Sequence, residues 1–347
     1  MKQCKILLLG YGVAGKAFAR ILQQTKEQIR ADKGIEPIVV GITTGSRGSL
    51  YCPEGIDLAE ATRQLEEEGR FDPAGPCYSG ADSMTAAAQW DYDVLMELTP
   101  LNIITGEPAT THIKTALNRG KHAISANKGP LAWHYKELRD LAKEKGCCFF
   151  FETTVMAGTP TFDMADHCLQ YCTIDKIHGI LNATTNYILK EMGKGVPYDK
   201  ILKAGREQGF LEADPSMDTE GWDAAAKLTV LMNVLMDADV TPDKVDRVGI
   251  SGITAADIEA AKQEGKVIKL LCKGEKAADG TITASVKPAR IPADDVFAGE
   301  DLVAVVSLNT DLMGKLTLIQ YGLETTQTGY GVFIDLCRVL DRMMVQG

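Results

Sequence analysis

An apolar run from Cys4 to Leu9 breaks into Gly10-Tyr11-Gly12-Val13-Ala14-Gly15. From Lys16 to Arg30, Phe18, Ile21, Leu22 and Ile29 then fall at helical spacing. A second apolar run, Ile38 to Ile42, follows. Strand, glycine turn, helix and strand make a βαβ unit, whose crossover is right-handed. The three glycines have separable duties: Gly10 makes the tight turn, Gly12 lets backbone approach a pyrophosphate, and Gly15 lets helix lie against strand. The backbone N–H groups from Gly12 through Val13 and Ala14 to Gly15 sit at the positive end of a helix dipole, where phosphate binds. The motif in this setting predicts dinucleotide binding; on its own it could be a tight βα turn that binds nothing.

Alternation continues to about residue 150. Apolar runs at Asp93–Leu98, His122–Ala126 and Cys147–Phe151 are interleaved with helical patterns at Thr110–Arg119 and Leu131–Lys145. This predicts an α/β, Rossmann-type doubly wound sheet, mostly parallel. The pattern then changes. A helix-like Phe162–Leu169, a strand at Ile174–Leu181 and helices at Tyr198–Gln208 and Trp222–Met236 precede two β-prone runs, Val303–Asn309 and Lys315–Tyr321, which flank Thr310–Gly314 as a hairpin. The final helical pattern, Gly331–Met344, is expected to return to the first sheet. The predicted organisation is a nucleotide-binding domain, 1–150 with 323–347, and an α+β substrate and dimerisation domain, 151–322.

The 347 residues are enough for about two domains. Net charge is −10, which argues against a general nucleic-acid or anionic-membrane binder. No apolar stretch reaches the roughly 18 residues of a bilayer span. The nine cysteines form no CxxC pair, and Cys168 with Cys172 would be only half a metal site. Reduced thiols and a cytoplasmic location are the expectation. At the tip of the second strand, Ile42-Thr43-Thr44-Gly45-Ser46-Arg47-Gly48 offers hydroxyls and Arg47 but no carboxylate. That favours the 2′-phosphate of NADP over the free ribose of NAD, with a plain surface arginine as the alternative.

Four segments together resemble homoserine dehydrogenases. They are Glu97-Leu98-Thr99-Pro100 with Gly106-Glu107-Pro108; Gly120 to Leu131, containing Ala126-Asn127-Lys128-Gly129; Gly179-Ile180-Leu181-Asn182-Ala183-Thr184; and Gly209-Phe210-Leu211-Glu212-Ala213-Asp214-Pro215 leading to Trp222-Asp223-Ala224-Ala225-Ala226-Lys227. The resemblance implies NAD(P)H-dependent, reversible reduction of L-aspartate 4-semialdehyde to L-homoserine, on the route to threonine and methionine, by a homodimer. It implies Lys227 as proton donor, with Asp223 orienting it or holding substrate. By the same resemblance Lys128 would stand between nicotinamide and substrate, and Glu212 would take the substrate ammonium. The resemblance further implies that Thr99, Lys128, Gly209 and Gly322 lie by the cofactor and that a sodium ion is held by Glu152 and the carbonyls of Val155, Ala157 and Thr159. Hydride addition builds charge on the aldehyde oxygen, which is why a cationic proton donor is needed there. Taken singly, Asp223 and Lys227 would be an ordinary surface i,i+4 pair, and the sodium loop an interdomain hinge.

Two departures stand out. Asn182-Ala183-Thr184 replaces the family's Asn-Gly-Thr, and Gln320-Tyr321-Gly322-Leu323-Glu324 replaces a Gly-x-Gly-Ala-Gly run. The second keeps alternatives open: a reductase of the same fold for another small semialdehyde or oxo acid, or a non-catalytic dinucleotide sensor. The sequence stops soon after its last helical pattern, so threonine feedback through an appended regulatory domain is not expected.

Overall fold

The computed structural model describes residues 2–207, 211, 214–299, 302–322 and 324–345, with Leu302 described in its backbone only. The chain divides into two compact units: Met1–Pro160 with Glu324–Gly347, and Thr161–Leu323.

The first unit begins β1 (Lys2–Leu9), α1 (Val13–Lys33), β2 (Ile35–Thr43), β3 (Ser49–Tyr51) and α2 (Leu58–Arg63). It goes on through β4 (Tyr78–Ser79), α3 (Ser83–Gln89), β5 (Val94–Glu97), α4 (Ala109–Asn118), β6 (His122–Ser125), α5 (Lys128–Lys145), β7 (Phe149–Phe150) and the short α6 (Thr153–Met156). Its sheet has seven strands in the order β4-β3-β2-β1-β5-β6-β7. The strands from β2 through β1, β5 and β6 to β7 run parallel. β3 and β4 add an antiparallel edge that the sequence pattern did not predict. Strands of two and three residues carry too little periodicity to be read from sequence. Chain order reverses direction at β1, so the tips of β1 and β5 form the switch point at which α/β sheets bind ligands.

The second unit contains α7 (Thr161–Cys168), β8 (Ile174–Ile180), α8 (Ala183–Gly193), α9 (Tyr198–Glu207), α10 (Ser216–Thr219) and α11 (Trp222–Met236). It continues with β9 (Asp246–Arg247), α12 (Ala255–Gln263), β10 (Lys266–Lys276), β11 (Ile282–Pro292), β12 (Leu302–Thr310) and β13 (Gly314–Tyr321). Its sheet runs β13-β12-β8-β10-β11-β9 and is antiparallel except at β11/β9. The hairpin around Thr310–Gly314 forms between β12 and β13. α11 is apolar nearly all round, with Ala224, Ala225, Ala226, Leu228, Val230, Leu231 and Met232 buried. It sits close on β10: a Cβ on Gly274 would lie 2.5 Å from the Met232 sulfur.

The last helix, α13 (Thr325–Val345), belongs to the first unit. Val332, Leu336, Val339, Leu340 and Met343 recur on one face and join Phe18 and Leu22 of α1 in a single core. The helix starts six residues before the sequence pattern suggested, because its first turns pack through Gly329. A Cβ there would lie 2.6 Å from the Ala17 Cβ. Among the described residues no helix is long and apolar enough to cross a membrane.

Candidate active site

At the switch point the glycine turn is built as its sequence requires. Gly10 has φ +98°, and a Cβ on it would collide with the Leu98 carbonyl oxygen. Its N–H donates to the Thr43 carbonyl at 3.0 Å, tying the turn to the tip of β2. Gly15 lies under the turn, where a Cβ would be 3.0 Å from the Gly10 carbonyl and 3.3 Å from the Tyr11 ring. Gly12 is the N-cap of α1, with no side-chain cap and open space where a Cβ would stand. Val13, next in the helix, is exposed, and the first N–H groups of α1, as first-turn groups, have no intrahelical acceptor.

A cleft of about 520 Å³ opens beside this turn, lined by Gly10, Thr43, Thr44, Ser46, Tyr78 and Thr99 among others. The Thr44 hydroxyl accepts from the Arg47 N–H at 2.9 Å, which shapes the loop, and an Arg47 guanidinium N–H reaches the Tyr11 carbonyl at 3.5 Å. Arg47 therefore stands beside the glycine turn. The cleft also contains a carboxylate that the tip of β2 lacks. Asp82 caps α3 by accepting from the Thr85 N–H at 2.7 Å, a bond that holds its carboxyl below the usual range.

Thr99 follows β5, and its N–H donates to Glu97 Oε1 at 2.8 Å. Lys128 opens α5 behind Asn127, whose side chain caps the helix by accepting from the Gly129 N–H at 3.0 Å. The Asn127 amide also donates to the Thr99 carbonyl at 3.3 Å, joining the ends of β5 and β6. In the same unit Glu152 precedes α6, Val155 lies within it, and Ala157 and Thr159 follow it. Glu152 is buried and its N–H donates to Asp335 Oδ2 of α13 at 2.9 Å. Ala157 takes φ +46°, which turns its peptide out of the helical direction, and the Thr159 N–H donates to the Met156 carbonyl at 2.9 Å. A four-residue helix leaves most of its carbonyls without intrahelical donors.

The second unit brings Asp223 and Lys227 together on α11: Lys227 Nζ is 3.0 Å from Asp223 Oδ2, with side chains only 19% and 15% exposed. Lys227 Nζ also donates to the Leu181 carbonyl at 2.9 Å. Asn182, after β8, caps α8 by accepting from the Thr185 N–H at 2.8 Å. Its amide donates to Asp218 Oδ1 at 2.6 Å and to Asp223 Oδ2 at 2.8 Å. Ala183 is the first residue of α8, an ordinary helical position, so the family's glycine is not required at that turn. Asp218, in α10, was not singled out from sequence. Its only signal was a carboxylate five residues before Asp223. Burial, then the neighbouring Asp223 charge, push its carboxyl above the ordinary range. The cluster is a lysine held between a carboxylate and a carbonyl, with a second, harder-to-ionise carboxylate reached through Asn182.

Gly322 follows β13 with φ +69°, whereas Glu324 is exposed and belongs to the first unit. Gly209 and Glu212 lie outside the described residues. Cys168 and Cys172 are free thiols, and among the described residues no three His, Cys, Asp or Glu side chains converge as a metal site.

Residues 10–152 match the sequence model of the homoserine dehydrogenase NAD binding domain, and residues 160–337 match that of homoserine dehydrogenase itself. A homoserine dehydrogenase of Methanocaldococcus jannaschii is 34% identical over 335 residues, covering 96% of this chain and 98% of the relative. An NAD(+)-dependent homoserine dehydrogenase of Pseudomonas canavaninivorans is 33% identical over 344 residues, covering 98% and 97%. Among solved structures, a putative homoserine dehydrogenase from Archaeoglobus fulgidus superposes with a TM-score of 0.85 at 29% identity, covering 97% of this chain and 99% of that one. A hyperthermophilic archaeal homoserine dehydrogenase in complex with NADPH gives 0.82 at 28%, covering 98% of each chain. The chain belongs to the homoserine dehydrogenase family and is an NAD(P)-dependent oxidoreductase.

Proposed function

We propose that this chain reversibly reduces L-aspartate 4-semialdehyde to L-homoserine through the lysine–carboxylate cluster of its second unit, with NADP as the preferred coenzyme. The observation that carries the reading is the Lys227 ammonium, 3.0 Å from Asp223 and 2.9 Å from the Leu181 carbonyl. When bound, the reduced nicotinamide supplies a hydride to the aldehyde carbon. Lys227 gives a proton to the oxygen on which charge builds, and in the reverse direction takes it back from the homoserine hydroxyl. Asp223 fixes the ammonium, and as an anionic carboxylate it suits, together with Glu212, the substrate's own ammonium group. Lys128 is assigned to the substrate and nicotinamide end of the first unit.

For the coenzyme, the open Gly12 position, the first-turn N–H groups of Val13, Ala14 and Gly15 and the Arg47 guanidinium support a phosphate-rich ligand. Thr99, Gly209 and Gly322 complete that assignment. Residues 1–150 with 323–347 are assigned to coenzyme binding and 151–322 to substrate binding and to pairing of two copies. A sodium ion would be held by Glu152 and the carbonyls of Val155, Ala157 and Thr159, an all-oxygen set of the kind hard cations take. There it would rigidify the loop rather than enter the chemistry.

The test is homoserine oxidation followed at the reduced-nicotinamide absorbance, with NADP and NAD side by side. Turnover with kcat/KM at least tenfold higher for NADP is expected. Failure to oxidise homoserine with either coenzyme overturns the reaction, whereas equal use of both overturns only the role of Arg47.

A further inference from the structure

Beneath Thr99 lies a polar pair that the reaction does not use. Glu97, the last residue of β5, and His112, on α4, are both fully buried, and His112 Nδ1 is 2.6 Å from Glu97 Oε2. The other carboxylate oxygen, Oε1, accepts both from the Thr99 N–H, at 2.8 Å, and from the Thr99 hydroxyl. Among the described residues His112 Nε2 has no hydrogen-bond partner.

These contacts fix where the protons are. Every partner of Glu97 donates to it, as an acceptor-only carboxylate requires. A proton on His112 Nε2 would be a buried donor without an acceptor, which is costly, so the ring holds its proton on Nδ1 and gives it to Glu97. The single hydroxyl proton of Thr99 is then committed to Glu97. What Thr99 offers to the cleft is lone pairs alone.

We propose that Glu97 and His112 are positioning residues that lock the Thr99 hydroxyl as a hydrogen-bond acceptor, selecting an N–H donor on the coenzyme, the carboxamide of its nicotinamide. The proposal rests on the dinucleotide reading of the first unit. Thr99 stands at the tip of β5, on the far side of the switch point from β2, which is the nicotinamide side of a doubly wound sheet. A phosphate or a ketone oxygen, having no proton to give, would meet only lone pairs there.

The test compares NADP with its 3-acetylpyridine analogue, in which a methyl ketone replaces the carboxamide and removes the N–H donor. Dissociation constants come from quenching of tryptophan fluorescence, and kcat/KM from homoserine oxidation. The quantity read is the ratio between the two coenzymes in each variant, so that their different intrinsic reactivity cancels. Wild type is expected to favour the carboxamide by about tenfold in binding, the value of one well-made hydrogen bond in a partly buried site. Thr99→Ser keeps that ratio, Thr99→Val brings it to within about threefold of unity, and Glu97→Gln lies between, because a neutral amide oxygen holds the hydroxyl proton less firmly. Thermal melts report whether Glu97→Gln remains folded; if it does not, His112→Asn takes its place with the same expectation. A Thr99→Val ratio equal to wild type overturns the contact. A wild-type ratio in Glu97→Gln, or in its replacement, beside a collapsed one in Thr99→Val overturns the positioning role. If wild type binds neither coenzyme, the dinucleotide reading itself has failed, and that is seen before any variant is made.

Discussion

Two alanines placed two residues apart in one loop separate a glycine that the fold needs from one that the ligand needs. Gly10→Ala puts a side chain at φ +98°, and its Cβ meets backbone rather than a side chain that could move aside. Left-handed strain costs on the order of 1–3 kcal/mol and overpacking a similar amount, so a loss of about 2–5 kcal/mol is expected. For a cooperative unit of about 180 residues, the size of the first unit, that is a fall in Tm of roughly 5–15 °C. Gly12→Ala has φ −90° and nothing within 4 Å of its new methyl. A slightly poorer N-cap is offset by a less flexible unfolded chain, leaving stability within about 1 kcal/mol of wild type. The same methyl occupies the approach of a pyrophosphate to the start of α1, so the coenzyme dissociation constant should rise at least about tenfold, or 1.4 kcal/mol. Scanning calorimetry and fluorescence titration on the two purified variants measure both quantities. A Gly12→Ala protein that binds coenzyme like wild type, or a Gly10→Ala protein that melts with it, would refute the division of labour.

Other expectations are as specific. Lys227→Met should lower kcat by about 10²- to 10⁴-fold while leaving coenzyme affinity within about twofold, measured by steady-state rates and fluorescence titration; near-normal kcat would remove Lys227 from its role. Asp218 has its folded pKa raised, so its contribution favours the fold below the unfolded value of about 3.9 and is lost as pH rises through the folded one. Asp218→Asn should therefore gain in Tm relative to wild type as pH goes from about 3 to 7, and a constant difference would contradict the burial argument. Gly329→Val should lower Tm by several degrees, because α13 and α1 meet at that position. With a thiol reagent on the native protein, exposed Cys168 should react first. Cys272, fully buried with its thiol pushed up to about 12 by burial, should wait for unfolding.

The parts of the fold that were legible are those whose periodicity is long. The glycine turn, the parallel strands with their helices, α11 and the β12–β13 hairpin all lie where the hydrophobic pattern put them. What escaped was short or mixed in character. β3 and β4 have three and two residues, and β11 alternates with half-buried polar side chains and a proline at each of two positions, which blurs its period. Gln64–Glu68 continues α2 as a single wider helical turn, with Glu66, Glu67 and Glu68 exposed. In the candidate site, sequence could nominate Asp223 and Lys227 because they share one helix. It could not nominate Asn182 as the link to Asp218, since that contact spans 36 residues and exists only after β8, α8 and α10 are assembled. Glu97 and His112, fifteen residues apart on a strand and a helix, were hidden for the same reason.

The return of α13 to the first unit has a consequence for the order in which the molecule can be made. Residues 161–323 are continuous in sequence and carry their own sheet, so that unit has all its contacts available as soon as it is synthesised. The first unit is begun earlier but completed later: Phe18 and Leu22 wait for Val332, Leu336 and Leu340, some 300 residues downstream, before their core closes. Such distant partners are slow to find one another and leave apolar surface uncovered in the meantime. The nucleotide fold is thus begun by the first residues of the chain and closed only by α13, which places the risk of aggregation on the helix α1 that presents the phosphate-binding turn.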